Sequence, residues 1–231
     1  FFLAPVARKL TGSLLGMPRA RGLFAQAIPQ SGAAHNVHSR ETATRVAEHF
    51  LAELGLTPAE ATARLRELSP DKLRDGQQQT VLRLGRSVGL LPFQPLVADA
   101  ALPEPPLTAV RAGSAAQVRL LTGTTRDEWR LFSMLDTTHA KIDATGLQEL
   151  LAGQLGTSNA ARVIATYQSS RARLGACTPA DLHNAIETDR VFRIPAVRLL
   201  EAQLPHQSAS YMYRFDWASP VMGGALGACH G

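Results

Sequence analysis

Two short stretches of the chain carry residues suited to proton-transfer chemistry. The first is GTTRDEWRLF, Gly123 to Phe132, which holds Asp127 and Glu128. It follows VRLLT, a short apolar run closed by turn residues, as expected of a buried strand. Carboxylates just past a strand end are well placed to act, because ligands in open α/β sheets bind beyond the carboxyl ends of the strands. The second is GGALGACHG, Gly223 to Gly231, with His230 in a loop of small residues after another strand-like run. An imidazole there can work as a general base near neutral pH. Each residue also has a plain structural alternative. Asp127 and Glu128 would suit the positive end of a following helix. His230 would suit a surface loop near the chain terminus.

The two stretches gain meaning as a pair. In hydrolases built on α/β sheets the catalytic triad runs Ser, then Asp or Glu, then His along the chain. The carboxylate holds the imidazole in the correct tautomer and stabilises its protonated form. Glu128 and His230 stand in that order. The serine should lie upstream, in G-x-S-x-G on a strand-turn-helix elbow. Gly85-Arg86-Ser87-Val88-Gly89 matches the letters, and Ser87 is nonetheless rejected as the nucleophile. QQQTVLRL precedes it instead of a buried strand, and Pro92 and Pro95 follow closely, so no helix can continue. Ser87 reads as an ordinary loop or helix-end serine. Ser31, in AIPQSGAA, has Pro29 where the elbow needs glycine. It is expected to end a strand, with Gly32 turning the chain. No nucleophile is assigned within the chain.

Cys229 beside His230 invites a thiol reading, but neighbouring side chains on an extended loop point apart, which favours packing. The other histidines, His35, His38, His49, His139, His183 and His206, form no ligand set with nearby Cys or carboxylates. The i, i+3 pair in HNVH reads as a surface loop. No glycine-rich phosphate loop occurs. No metal and no cofactor are expected.

The elements that must position Glu128 and His230 are legible in outline. Strands are expected at Phe24–Ile28, Val118–Thr122 and Ser210–Trp217. A helix is expected after Ser39, with Val46, Phe50, Leu51 and Leu54 at helical spacing and Gly55 past its end. Thr57 and Glu60 fit a capping box opening a second helix to Leu68. Further helices are expected across Leu147–Leu155 and Ala160–Gln168, with a longer one from Pro179 to Gln203 that Pro195 interrupts. Pro92, Pro95, Pro103, Pro105 and Pro106 mark an irregular connection. Helices separating strands give an α/β class with a largely parallel sheet and flanking helices. Three strands are few for so many helices, so the sheet reads as part of a larger one. An uncovered edge would favour self-association.

Composition narrows the class. The 231 residues are 45% hydrophobic and 19% charged, a globular balance. No apolar run reaches the length of a membrane span. The formal charge of +5 comes from 24 Lys and Arg spread along the chain, without an aromatic stripe, which argues against nucleic-acid binding. Two cysteines exclude a disulfide scaffold. The opening FFLAPVARKL is apolar then basic, the reverse of a secretory signal. Absent signal and sparse cysteines point to the cytoplasm, although a missing N-terminus would have carried any signal.

Five ordered segments, GLFAQAIPQSGAA, LPFQPLVADAALPEPP, LLTGTTRDEWRLF, ETDRVFRIPAVRL and YMYRFDWASPVMGGALGACH, resemble the type-B carboxylesterase family. That family includes bacterial para-nitrobenzyl esterases and the cholinesterases. The resemblance spans about Ser13 to His230. It implies an α/β-hydrolase fold and hydrolysis of small-molecule carboxylic esters. It implies Glu128 as triad acid, in a G-x-x-x-x-E pattern, and His230 as triad base, in G-A-C-H.

The resemblance also implies what is missing. A full member is roughly twice as long, with a glycine-rich oxyanion loop and a G-E-S-A-G elbow in its first half. The elbow lies just before a segment like SLLGMPRARGLF, which stands here at Ser13 to Phe24. The residues before it, FFLAPVARKLTG, hold no serine. The chain is thus expected to be the C-terminal part of a single catalytic domain, residues 1–231, with residues 1–12 atypical. A truncated gene product after a shifted reading frame would have this form, and alone it would be inactive. The alternative is a non-catalytic binding or adhesion protein on the same fold.

Overall fold

A computed structural model describes residues 4–88, 92–136, 141–174 and 177–231. Gly89 of the rejected serine pattern and His139 lie outside the described residues. The chain divides into two compact units. One holds residues up to Leu23 together with Ala34–Ala115, and the other holds Phe24–Ala33 and Ala116–Gly231.

The first unit is helical. Its helices are α1 (Ala4–Gly16), α2 (Arg40–Glu53), α3 (Pro58–Arg64), α4 (Pro70–Val88) and α5 (Pro106–Arg111). Ser39 caps α2 by accepting the Thr42 N–H at 3.2 Å, and Leu54 follows as its last half-helical residue. This is the helix expected after Ser39. Glu60 accepts the Thr57 N–H at 2.8 Å, which completes the expected capping interaction. The helix it opens stops at Arg64, short of Leu68. α1 and α4 were not anticipated, α1 because it covers the stretch taken as atypical. Val46, Leu51, Leu54, Leu84, Leu102 and Val110 are buried in this unit. The proline-rich connection holds one helix, α5, which starts at Pro106 where a missing N–H costs nothing.

The second unit carries the sheet. β1 (Gln26–Ala27), β2 (Arg119–Thr125) and β3 (Ser210–Phe215) pair in the order β1-β2-β3, all parallel. β1 is shorter than the expected strand, and β3 ends two residues before Trp217. β2 runs further than expected, through Thr125. Its two ends differ. Leu120 is buried and Leu121 is partly open, whereas Thr122, Gly123 and Thr124 are all buried. Gly123 must be glycine, because a Cβ there would run into the Tyr213 ring of the neighbouring strand.

Among the described residues this unit also holds helices α6 (Arg130–Leu135), α7 (Ala144–Leu155), α8 (Thr157–Arg171), α9 (Pro179–Thr188) and α10 (Ile194–Gln203). Leu147, Leu151, Ala160, Leu182 and Ile186 form one apolar cluster shared by α7, α8 and α9. α10 packs on β2, and Gln203 donates to the Val118 carbonyl at 2.8 Å, tying the helix end to the strand start. The long helix expected across Pro179–Gln203 is broken earlier than Pro195. A π-helical turn, Asp189–Arg193, separates α9 from α10 and leaves Pro195 in the first turn of α10. The proline ring would clash with the carbonyl four residues back in a continuous α-helix, and the wider turn avoids this.

Candidate active site

The turn after β2 and the loop after β3 meet because their strands are parallel neighbours, with Thr125 level with Phe215. Backbone bonds join them. Arg126 N–H donates to the Phe215 carbonyl at 2.9 Å, and Asp127 N–H to the Ala228 carbonyl at 2.9 Å. The Asp127 carboxylate returns the link by accepting the Ala228 N–H at 3.0 Å. Gly227, at φ +56, is where the returning loop turns, and a Cβ there would collide with that same carboxylate. Asp127 therefore fastens one loop to the other.

This clamp brings Glu128 and His230, 102 residues apart in sequence, into contact. His230 Nδ1 lies 2.7 Å from Glu128 Oε2. Glu128 is fully buried and His230 is 7% exposed. Stripping a carboxylate of water costs several kcal/mol unless its oxygens are served. Both are. Oε1 accepts the Thr125 N–H at 2.7 Å and Oε2 takes the imidazole. A carboxylate oxygen only accepts, so the proton of the second bond sits on Nδ1. In the neutral ring Nε2 is then left with its lone pair, the tautomer a general base needs. The Asp127 carboxylate is bonded to the Ala228 N–H and that of Glu128 to Thr125 and His230, so both do more than stand ahead of α6. His230 is buried, which removes the surface-loop alternative as well.

Aromatic rings wall the imidazole. Phe192 and Phe132 lie with ring centroids 5.1 and 5.4 Å from it. Trp129 packs on Phe132 at 5.0 Å. None of these three was singled out from sequence. Their only signal was membership in the segments that carry the family resemblance.

The other candidates separate cleanly. Ser87 sits in the last turn of α4, and its hydroxyl donates back to the Leu84 carbonyl at 3.2 Å. It is a helix-end serine with no strand before it. Ser31 directly follows Gln30, which pairs in parallel with Gly123, so it stands at a strand end as expected, but the turn is not made by Gly32. Ser31 itself takes the left-handed turn, at φ +49, with its N–H on the Gly123 carbonyl at 2.9 Å. No helix follows it at once, so the elbow is incomplete. The Cys229 thiol is pushed above the ordinary range, first by burial, with the charges of Glu128 and Asp127 adding to it. Activated thiols are shifted the other way. In HNVH, His38 Nε2 lies 2.7 Å from the Pro92 carbonyl. No group of three His, Cys, Asp or Glu able to hold a metal occurs among the described residues, and none of their helices is long and apolar enough to cross a membrane.

The model of the carboxylesterase family matches residues 9–231. The chain belongs to the carboxylesterase family. The match begins ahead of Ser13 and takes in the last four residues of the stretch read as atypical. Among curated relatives, the para-nitrobenzyl esterase of Bacillus subtilis (strain 168) is 34% identical over 208 residues, covering 89% of this chain and 39% of that protein. A crystal structure of a Geobacillus stearothermophilus carboxylesterase aligns with a TM-score of 0.75 at 30% identity, over 94% of this chain and 43% of its own. A thermophilic para-nitrobenzyl esterase structure aligns at 0.72 and 30%, over 97% and 44%. The chain thus has the α/β-hydrolase fold, and it spans roughly two fifths of the length of these carboxylesterases.

Proposed function

We propose that this chain supplies the acid and the base of a serine-type carboxylic-ester hydrolase. The observation that carries the reading is the buried Nδ1–Oε2 contact of 2.7 Å between His230 and Glu128. In the proposed reaction a serine hydroxyl attacks the ester carbonyl while His230 Nε2 takes its proton. Glu128 holds the ring and stabilises the imidazolium that forms. His230 then returns the proton to the departing alcohol. Water, deprotonated by the same nitrogen, releases the acid. Backbone N–H donors must stabilise the oxyanion.

The serine and those donors are proposed to come from a segment other than these residues. Ser87 on α4 and Ser31 beside Gly123 both lack the strand-turn-helix setting the nucleophile needs. That segment would add to the open side of β1, which pairs only with β2 among the described residues. Without it, the same edge favours self-association, and a monomer on size exclusion would count against this.

The test uses two proteins, the present chain and the product of the longer reading frame that includes the upstream DNA. The longer product is expected to hydrolyse para-nitrophenyl esters and to take up a fluorophosphonate on serine. The present chain should show only trace turnover, unchanged by Ser87→Ala. In the longer product, Glu128→Gln is expected to lower kcat about 10⁴-fold. Turnover that survives Glu128→Gln or His230→Ala, or no labelling at all, would remove the esterase reading and favour a binding protein.

A further inference from the structure

The acid–base pair leans on a helix that is not continuous. Between α9 and α10 the backbone makes one π-helical turn, Asp189–Arg193. Such turns are rare, and they occur often at functional sites. Here the side chains around the turn converge on the pair. Thr188, fully enclosed at the end of α9, accepts the Trp129 N–H on its hydroxyl at 3.1 Å. Arg193 donates from Nη2 to the Arg126 carbonyl, also at 3.1 Å. Arg126 and Trp129 stand on either side of Glu128. Between these two grips, Phe192 lays its ring against the His230 imidazole.

The π geometry is what allows both grips. In an α-helix each residue advances about 100°, so Arg193, five positions on, would point about 140° away from Thr188. In a turn bonded from i to i+5, residues five apart stack along one side. The turn is also anchored from behind. The Asp189 carboxylate takes the Tyr167 hydroxyl at 2.6 Å and the other end of the Arg193 guanidinium. Burial, and then that bond to Asp189, keep the Tyr167 phenol protonated well beyond its ordinary range, so it remains a donor.

We infer that Thr188 and Arg193 are positioning residues, through which the π turn holds the backbone on both sides of Glu128 and sets its carboxylate against His230 Nδ1. The inference rests on the reading of Glu128 and His230 as acid and base. It adds that their alignment is set by α9 and α10 as well as by the two strands.

The test is proton NMR of the whole chain with nitrogen-labelled histidine, following the proton on His230 Nδ1. A carboxylate-bound imidazole proton resonates far downfield and exchanges slowly with water. It is expected in the wild type and lost in Glu128→Gln. Thr188→Val keeps the shape but removes the acceptor. It should move the resonance upfield and speed its exchange about tenfold, the factor carried by one ordinary hydrogen bond. Thr188→Ser should restore the wild-type signal. Arg193→Met, which keeps length without donors, should act as Thr188→Val does. Wild-type resonance and exchange in both Thr188→Val and Arg193→Met would overturn the inference. If Arg193→Met fails to fold, the Thr188→Val and Thr188→Ser pair decides alone. A wild-type chain without the resonance would remove the acid–base pair first, and the inference with it.

Discussion

Two glycine-led patterns in this chain can be set side by side. Gly85 to Gly89 spells the letters G-x-S-x-G, and Gly123 to Glu128 spells G-x-x-x-x-E, in which Glu128 is proposed as the acid. Gly85 to Val88 of the first lie at the end of α4, where the Ser87 hydroxyl returns to a carbonyl three residues earlier. The second lies at the end of β2, where Glu128 reaches a residue 102 positions later. A helix satisfies its polar groups locally. A parallel strand hands its last residues to whatever follows the neighbouring strand. The letters of a motif therefore mean little until the element beneath them is known. The same contrast predicts tolerance. Thr122, Gly123 and Thr124 of β2 are buried, whereas Ser87 on α4 is exposed.

Four measurements would sharpen or break that contrast. Leu199 is wholly buried on α10, the helix that packs on β2. Leu199→Ala should cost about 2–5 kcal/mol in urea unfolding, through lost burial and the cavity left behind. Gly123→Ala should cost about 1–3 kcal/mol, because the added methyl must displace the Tyr213 ring. Cys229 should react with iodoacetamide several-fold more slowly at neutral pH than a free thiol. Its raised pKa leaves less thiolate at any pH below that value, so the rate should climb only at higher pH than for the free thiol. Ser87→Ala should change stability by less than about 0.5 kcal/mol, since its bond is local and replaceable by water. A Ser87→Ala cost above that of Gly123→Ala would dismantle the comparison.

Much of this was readable from the residues. The three strands were placed, although β1 proved shorter and β2 longer than expected. Hydrophobic spacing found α2, which buries Val46 and Leu51, and helices were also expected where α7 and α8 stand. The capping residues Ser39 and Thr57 marked helix starts for the same local reason. Three other features could not be read so directly. The Asp127 clamp depends on an N–H in a distant loop, and aspartate beside glutamate looks the same whether it faces a helix or a loop. Phe132 and Phe192 look like any core aromatic until the imidazole is placed between them. The π turn was mistaken for a simple proline break, because Pro195 signals an interruption without saying what shape it takes. At Ser31 only the turning residue was misplaced, since Ser31 and not Gly32 takes the positive φ.

The pairing of Gln26 with Arg119, and of Leu120 with Ser210, has a kinetic consequence. β2 finds neither neighbour nearby in the chain, so both ladders must close over long separations, and such pairings form slowly. Glu128 and His230 sit beyond the end of the β2–β3 ladder, so their contact is expected to form no earlier than that ladder. In a refolding experiment their contact is expected to appear late and to mark arrival at the finished sheet.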